Sequence, residues 1–202
     1  MPLVKPSYVR SHYTGSEEQH DSLLAEYILL VQGEIESILG QPVEARSVTY
    51  TFTGAGKQSV TLPHTVKPVL VTLETRAAVG QAWTAVTGAA ILAGTIELAE
   101  GFVEGQLYRA TLTVGLSAYT GEAELSTDFT ANGRYRQLLT VLCEMVTVKF
   151  MESHRSNFGN RTFALAKLAE STAGQITRSY EYKDMTRRWV DMLGPYKRLR
   201  VW

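Results

Sequence analysis

The chain has 202 residues, 20 Lys and Arg balanced by 20 Asp and Glu, and a hydrophobic fraction of 45%. This length suits one domain with a sizeable core, and the zero formal charge argues against a general nucleic-acid binder, which would be basic overall. The single cysteine, Cys143, rules out an intramolecular disulfide and favours a reducing compartment. We expect neither a secretion signal nor a membrane span, because no apolar run is long enough.

The amino-terminal part of the chain predicts an arm followed by an amphipathic helix. Two prolines and Gly15 interrupt any periodicity, so residues 1–15 are expected to form an extended or mobile arm. A helix is expected to begin near Ser16, where acidic residues favour the positive end of the helix dipole, and to end at Gly40. Its apolar stripe has three- and four-residue spacing and comprises Leu23, Leu24, Tyr27, Ile28, Val31, Ile35, Ile38 and Leu39.

Alternation of apolar and polar residues predicts a small, mostly antiparallel β region over about 45–118. Residues 47–53 form the first predicted strand, and we expect the next strand, SVTLP, to pair back onto it after the turn GAGK at 54–57. Further strands are predicted at 68–75, 82–86 and 108–116. The Gly- and Ala-rich stretch 87–105 is expected to hold short strands and loops.

The remaining residues return to the helical period. A loop is predicted over 119–133, and a long helix then runs to about Ser153, with Cys143 beside its apolar stripe. A short helical patch at 163–172 and an extended stretch at 172–184 are expected to follow, before a last short helix. The stripe of the long helix comprises Tyr135, Leu138, Leu139, Leu142, Met145, Val146 and Phe150.

This order of elements predicts an α+β fold, because the strands form one block and do not alternate singly with helices. The helical core comprises the amino-terminal amphipathic helix, the long central helix and the short carboxy-terminal helix. We divide the chain into an arm at 1–15, a main domain at 16–182 that contains the β region, and a carboxy-terminal helix with an extended docking arm at 183–202.

No pattern in the sequence carries a recognisable catalytic or metal site. The four histidines have no zinc-ligand spacing, and one cysteine cannot supply a thiolate site. GAGK lacks the full phosphate-loop pattern and joins two predicted strands, so turn chemistry explains it. Cys143, beside an apolar stripe, is better explained by burial than by nucleophilic chemistry. We therefore expect no enzymatic activity, no metal and no cofactor.

Charge is distributed unevenly despite the zero total. Residues 16–40 contain acidic side chains and no Lys or Arg, whereas residues 183–202 contain six basic residues against two acidic ones. The two ends could be ordinary solvated faces, could form a head-to-tail contact between copies, or could face a polyanion. The acidic set comprises Glu17, Glu18, Asp21, Glu26, Glu34 and Glu36.

The carboxy-terminal sequence TRRWVDMLGPYKRLRVW mixes aromatic, aliphatic and basic residues. Aromatic and Arg side chains are enriched where proteins bind proteins, but they also contact nucleic-acid bases. The aliphatic residues would gain nothing from phosphates, which favours docking onto another protein. A nucleic-acid-binding module that uses the basic tail is the alternative. The predicted docking residues are Trp189, Leu193, Tyr196, Lys197, Arg198, Leu199, Arg200 and Trp202.

Five segments together carry a family likeness. They are IESILGQPV (35–43), VTLPHTVKPVLVTLE (60–74), YRATLTVGL (108–116), LLTVLCEMVTVKFMESHRSN (138–157) and SYEYKDMTRRWVDMLGPYKRLRVW (179–202). In this order they resemble the head–tail connector (adaptor or head-completion) proteins of tailed bacteriophages. The resemblance covers about 20–202 and includes a Leu-Pro corner and a Pro-Tyr-basic tail. The stretch near 77–105 is longer than in the common form, and residues 1–15 have no counterpart.

This resemblance implies a structural role without catalysis. Such a protein would assemble under a portal protein as a ring of about twelve copies, extend the channel through which double-stranded DNA passes, and contact tail or neck proteins. The docking residues would reach the portal, and the acidic set would lie between subunits or face the channel. The resemblance also implies a place in the neck of the virion, assembly in the cytoplasm of a bacterial host, and no membrane partner.

Overall fold

The structure, a computed structural model, describes residues 2–92, 94–131, 133–153 and 182–198. The chain forms two compact units, one of Met1–Ile38 with Ser117–Pro195 and one of Leu39–Leu116 with Tyr196–Trp202. The described part of the first unit is helical, and the second unit contains two antiparallel sheets. The predicted α+β class is therefore confirmed. We refer to the two parts as the helical unit and the β unit.

The helices agree with the long helical periods in the sequence. They are α1 (Pro6–Val9), a π-helical turn (Arg10–Thr14), a 3-10 turn (Glu18–His20), α2 (Asp21–Leu39), α3 (Thr127–Ala131), a second 3-10 turn (Gly133–Tyr135), α4 (Arg136–Ser153), α5 (Tyr182–Leu193) and a last 3-10 turn (Gly194–Tyr196). Every residue of the stripe predicted for α4 is buried. α5 begins inside the stretch 172–184, which was predicted to be extended. The rest of that stretch and the helical patch predicted at 163–172 lie outside the described residues.

The amino-terminal residues are folded, so the expectation of an extended or mobile arm at 1–15 is wrong where the structure describes it. Pro6 occupies the first position of α1, where its missing N–H has no helical partner to lose and its fixed φ suits the helix. Leu3 N donates to Gln32 Oε1 at 2.9 Å, and Val4 forms a β-bridge to the segment before α3. Leu3 and Val4 are fully buried. Pro6 therefore starts a helix and does not leave residues 1–15 extended.

The loop predicted over 119–133 contains helix α3. Ser126 lies just before α3, and its Oγ accepts a hydrogen bond from Asp128 N at 3.2 Å, which is the usual N-cap arrangement. Phe129 is buried, so α3 also removes one aromatic ring from water. With five residues, α3 is too short to show a helical period in the sequence.

The described part of the β unit contains seven strands. They are β1 (Arg46–Thr53), β2 (Ser59–Thr61), β3 (Val69–Arg76), β4 (Thr84–Ala85), β5 (Ala89–Leu92), β6 (Thr95–Leu98) and β7 (Leu107–Val114). One sheet has the order β1-β7-β3-β4 and the other the order β2-β6-β5. The short strands β4, β5 and β6 confirm the expectation for the region between 82 and 105.

The hairpin expected between 47–53 and SVTLP does not form. β1 pairs with β7, and β2 pairs with β6 in the other sheet. The GAGK turn therefore carries the chain from one sheet to the other. Gly54 N donates to Gln106 O at 2.8 Å, and Gly54 O accepts from Gly105 N at 3.0 Å. A two-residue period indicates which face of a strand is buried, but it does not identify the partner strand.

One apolar cluster fills the β unit and draws residues from both sheets. It includes the apolar residues that alternate along β7. These residues are Tyr108, Ala110, Leu112 and Val114, all at most 3% exposed. Phe52, Phe102 and Tyr108 add ring contacts with centroid distances of 5.3, 5.5 and 5.0 Å. Removal of this apolar surface from water is the main stabilising contribution in the unit.

Gly115, at the end of β7, is expected not to tolerate a side chain. Its φ is +106°, and a Cβ placed there would lie 2.3 Å from Glu44 O. Gly115→Ala should lower the free energy of unfolding by about 2 kcal/mol or more, because backbone strain and a clash add. Urea unfolding measures the change. Gly133→Ala is the control, since a Cβ there meets nothing within 4 Å, and equal effects of both substitutions would contradict the prediction.

Candidate docking elements: the C-terminal helix and the arm seat

Helix α5 has one buried face and one exposed basic face. Met185, Trp189 and Leu193 recur every four residues and are at most 5% exposed, as expected for a helix that packs along one stripe. Within the helical unit, α5 packs against α4. Arg187 and Arg188 lie on the exposed side. The part of the predicted docking tail that lies in α5 is therefore packed within its own chain.

A buried carboxylate on α4 holds α5 in place. Glu144 is 3% exposed, Trp189 Nε1 donates to its Oε2 at 2.8 Å, and Arg188 Nη2 donates to its Oε1 at 3.1 Å. Both carboxylate oxygens thus have a donor, which a carboxylate requires where water is excluded. We call Glu144, Arg188 and Trp189 the helix anchor.

The segment after α5 is held by hydrogen bonds within the β unit. Gln41 is 4% exposed, and its Oε1 accepts from Thr65 N at 2.9 Å. Its Nε2 donates to Tyr196 O, and Thr65 Oγ1 donates to the same carbonyl at 2.8 Å. Arg198 N donates to Leu39 O at 2.9 Å, which satisfies a carbonyl at the C-terminal end of α2. We call Leu39, Gln41 and Thr65 the arm seat, because they hold the segment that begins at Tyr196, which we call the carboxy-terminal arm.

His64 is the sequence neighbour of Thr65 in the arm seat. We expect it to make the stability of the folded protein depend on pH. It is 7% exposed, and burial, together with the nearby Arg198, lowers its pKa below the usual 6.5. The folded protein therefore binds this proton less well than the unfolded chain does. The stability that the folded protein gains from a neutral His64 is fully present above about pH 6.5. It is lost as the pH falls toward the lower pKa that His64 has in the folded protein.

The melting temperature should accordingly be lower at about pH 5.5 than at about pH 7.5, and His64→Gln should lose part of that difference. His12→Gln changes an exposed histidine and is the matched control that should keep it. If His64→Gln retains the whole difference, His64 is not its source.

The structure places three of the predicted docking residues inside the chain's own fold. Trp189, Leu193 and Tyr196 are at most 5% exposed, so in this conformation they are not open anchors for another protein. Burial within the same chain removes their apolar surface from water without any partner. Lys197 and Arg198 are exposed. Outside the described residues lie Leu199, Arg200 and Trp202.

The acidic set does not form one unpaired face. Asp21 and Glu18 pair with Arg10 at 3.0 and 3.5 Å, and Glu34 pairs with Lys149 at 2.8 Å. The remaining members differ in exposure: Glu17 and Glu26 are exposed, and Glu36 is half-buried. The basic partners lie outside residues 16–40, which is why the sequence showed an acidic excess there. Exposed pairs of this kind contribute little stability.

Sequence reasoning missed Glu144, Gln41 and Thr65. Glu144 lies within the apolar stretch of α4, and a charged residue on a buried face is a usable signal for a specific partner. Gln41 and Thr65 carried no comparable signal, because polar residues beside helix ends and turns are ordinary.

The arrangement can hold and present a chain segment. Cys143 is buried, and burial raises its pKa, so the thiol stays protonated and unreactive. Within the described ranges, no group of three His, Cys, Asp or Glu side chains could bind a metal ion. None of the described helices is long and apolar enough to cross a bilayer.

Solved structures provide the comparison with known proteins. One similar chain comes from the neck of an empty gene transfer agent (GTA) particle computed with C6 symmetry. It is 15% identical, with 99% of this chain and 92% of that chain covered and a TM-score of 0.47. This chain is similar to chains of GTA neck structures.

Two further similar chains come from particles of the same kind. One is from the virion of a native GTA particle, with 14% identity, 99% and 92% coverage of the two chains and a TM-score of 0.48. The other is from the neck of a native GTA particle computed with C12 symmetry, with 14% identity, 99% and 91% coverage and a TM-score of 0.46. No protein-family profile and no curated protein matches this sequence.

Proposed function

We propose that this protein is a structural connector subunit in the neck of a tailed phage or phage-like particle. The observation that carries the proposal is that two motifs of the sequence resemblance meet in the folded chain. Thr65, in the Leu-Pro corner, donates its Oγ1 to Tyr196 O of the Pro-Tyr-basic tail, across 131 positions of sequence. The corner thus holds the base of the tail, and a tail held at its base can present the following residues to a neighbour.

We infer that the residues after Tyr196 dock onto the portal. Lys197 and Arg198 are exposed, and the sequence then continues as Leu-Arg-Val-Trp at 199–202. Arg and Trp are the residue types that dominate binding energy at protein interfaces. The buried Trp189, Leu193 and Tyr196 serve as the base of the arm instead of its anchors.

The proposed assembly is a ring of about twelve copies around a channel for double-stranded DNA, with heterologous contacts because these can close into a ring. Its neighbours are the portal on one side and tail or neck proteins on the other, and assembly takes place in a bacterial cytoplasm. The exposed Glu17, Glu18 and Glu26 would lie between subunits or face the channel, where negative charge keeps DNA from binding. No catalysis is part of the proposal.

Portal binding tests this function. The full chain, and a chain that ends at Arg198, are each mixed with portal rings from the same particle and imaged by negative-stain electron microscopy. The full chain should add a ring of density to the portal, and the shortened chain should add none. Gln58→Ala, an exposed change outside the arm seat, should bind like the full chain. Equal binding by the shortened chain would contradict the docking assignment, and absence of binding by every chain would contradict the connector function.

A nucleic-acid-binding module is the second candidate, favoured by the exposed Arg187, Lys197 and Arg198. Its signature is an affinity for double-stranded DNA that falls steeply with salt. A connector should show weak DNA binding that a double substitution, Lys197→Gln with Arg198→Gln, hardly changes. Strong, salt-sensitive binding that this double variant loses would favour the alternative.

A further inference from the structure

The turn between β3 and β4 carries an apolar tip into solvent. Its residues 77–82, Ala-Ala-Val-Gly-Gln-Ala, are all exposed and include no charged side chain, and Val79 at the tip is 81% exposed. Gln81 N donates to Ala78 O at 3.2 Å, and Gly80 has a φ of +94°, so the tip is a hydrogen-bonded turn of defined shape. Turns in water favour Gly, Pro, Asn, Asp and Ser, so a valine at the tip has no role in its own fold. We call residues 77–82 the knob.

The base of the knob is ordered by a stacked cluster. Trp83 follows the knob directly, and the guanidinium groups of Arg76 and Arg109 lie 4.4 and 4.5 Å from the centre of its ring. Arg109 also pairs with Glu74 at 2.8 Å. Cation–π contacts of this kind stabilise the arrangement. A loop that is ordered before it binds loses less entropy on binding, which favours the knob as a docking element.

An apolar groove of about 540 Å³ lies in the same β unit. Its walls are residues 68–73, at the start of β3, and residues 85, 86 and 88–91, and none of these is charged. The register between β3 and β7 shifts between Leu70 and Thr72, so Val71 is the extra residue of a β-bulge, and its side chain is 58% exposed. Bulges redirect a side chain out of the regular ladder. Val69 is 48% exposed, and a groove of this composition suits a small, uncharged occupant.

The knob does not reach the groove of its own chain. The groove lies at the start of β3, whereas the knob follows the end of β3 at Arg76. A strand rises about 3.3 Å per residue, which places Val71 and Arg76 about 16 Å apart along β3. β4 pairs back onto β3 at Glu74 and Thr75, and this pairing holds the knob beyond that end of the strand. A knob that occupies the groove therefore comes from a second copy.

We propose that the knob of one copy docks into the groove of a second copy. This inference rests on the proposed connector ring, which would bring copies side by side. Both surfaces are apolar and uncharged, so docking removes Val79, Val69 and Val71 from water without desolvating a charge. Because the knob and the groove are different patches of one chain, the contacts run head to tail, as a closed ring requires. A single contact of this size is weak between free copies, and a ring repeats it at every subunit.

Complementation between two variants tests this docking. Val79→Lys leaves a chain with a groove but no apolar knob, and Val71→Lys leaves a chain with a knob but no apolar groove. Both positions are exposed, so both chains should fold, which circular dichroism checks. The Val79→Lys chain is isotope-labelled and titrated with the unlabelled Val71→Lys chain. We expect the NMR shifts of residues 68–73 and 88–91 of the labelled chain to change saturably.

The matched control is a chain with both substitutions, which differs from the titrant only in its knob. It should bind the labelled chain at least about tenfold less tightly, because a charge would enter the uncharged groove. No saturable change at residues 68–73 and 88–91, or an equal change with the double variant, would overturn the proposal. A groove that instead receives a segment of another neck protein would give the first of these results. Portal is absent from this experiment, so its failure is distinguishable from failure of the connector function.

Disulfide formation tests the pairing of the two valines directly. A Val79→Cys chain is mixed at high concentration with an isotope-labelled Val71→Cys chain and oxidised, and Cys143 does not interfere because it is buried. Mixed dimers, identified by intact mass, should form at least about tenfold faster than with a Leu29→Cys chain, because docking raises the effective concentration of the two thiols. Leu29 is 50% exposed and lies outside the groove. Equal rates with both partners would overturn the assignment of knob to groove.

Discussion

Replacement of Trp189 by alanine is expected to lower the free energy of unfolding by about 3–5 kcal/mol. The indole is 5% exposed, and its Nε1 is one of the two donors to the buried Glu144 carboxylate. The substitution therefore removes a large buried apolar surface and also leaves one carboxylate oxygen without its donor.

Urea unfolding followed by circular dichroism measures this loss, and Trp189→Phe separates its two causes. Phenylalanine keeps most of the packing but cannot donate to Glu144, so its cost should be about 1–3 kcal/mol. Trp83→Ala is the matched control, because Trp83 is half-buried, with the guanidinium groups of Arg76 and Arg109 at 4.4 and 4.5 Å from its ring. A loss at Trp189 no larger than that at Trp83 would mean that the helix anchor does not hold α5.

Gln41→Ala is expected to cost about 2–3 kcal/mol and to loosen the arm. The substitution removes the acceptor for Thr65 N and one donor to Tyr196 O, at a position that is 4% exposed. Because the arm leaves the seat at this point, trypsin should cleave faster after Lys197 and Arg198 in the variant than in the unaltered chain.

A second substitution at this position shows which hydrogen bond matters. Gln41→Glu keeps an acceptor for Thr65 N but replaces the donor to Tyr196 O with a carboxylate oxygen, so it should loosen the arm at least as much as Gln41→Ala. Gln58→Ala is the control, since Gln58 makes an exposed bond to Ala99 O and should change stability by less than about 0.5 kcal/mol. Unchanged cleavage in both Gln41 variants would show that the seat does not retain the arm.

The proposed binding of the portal gives the Gln41 variants a second use. If the docking residues lie after Tyr196, a chain with a loosened seat should bind portal less well than one with an intact seat, because the arm must then be ordered at the moment of binding. The Gln41 variants therefore test function as well as stability, and the helix anchor variants test mainly stability.

Periodicity predicted the elements that bury a continuous face. The stripe of α4 and the alternating residues of β7 were readable because burial repeats at a fixed spacing along the chain. The same reasoning failed at residues 1–15 and at 119–133, where the elements are only four or five residues long and are fixed by single contacts such as Leu3 N with Gln32 Oε1. It also failed for the partner of β1, because pairing with β7 joins segments about sixty residues apart.

The sequence by itself determined the α+β class, the positions of the long helices and the apolar and basic character of the carboxy-terminal tail. Only the tertiary structure decided that Trp189 and Tyr196 are buried in their own chain, and that Glu144 and Gln41 hold helix α5 and the segment that begins at Tyr196. The physical reason is that local patterns record which side chains avoid water, whereas a hydrogen bond such as that from Thr65 to Tyr196 joins residues that only the folded chain brings together.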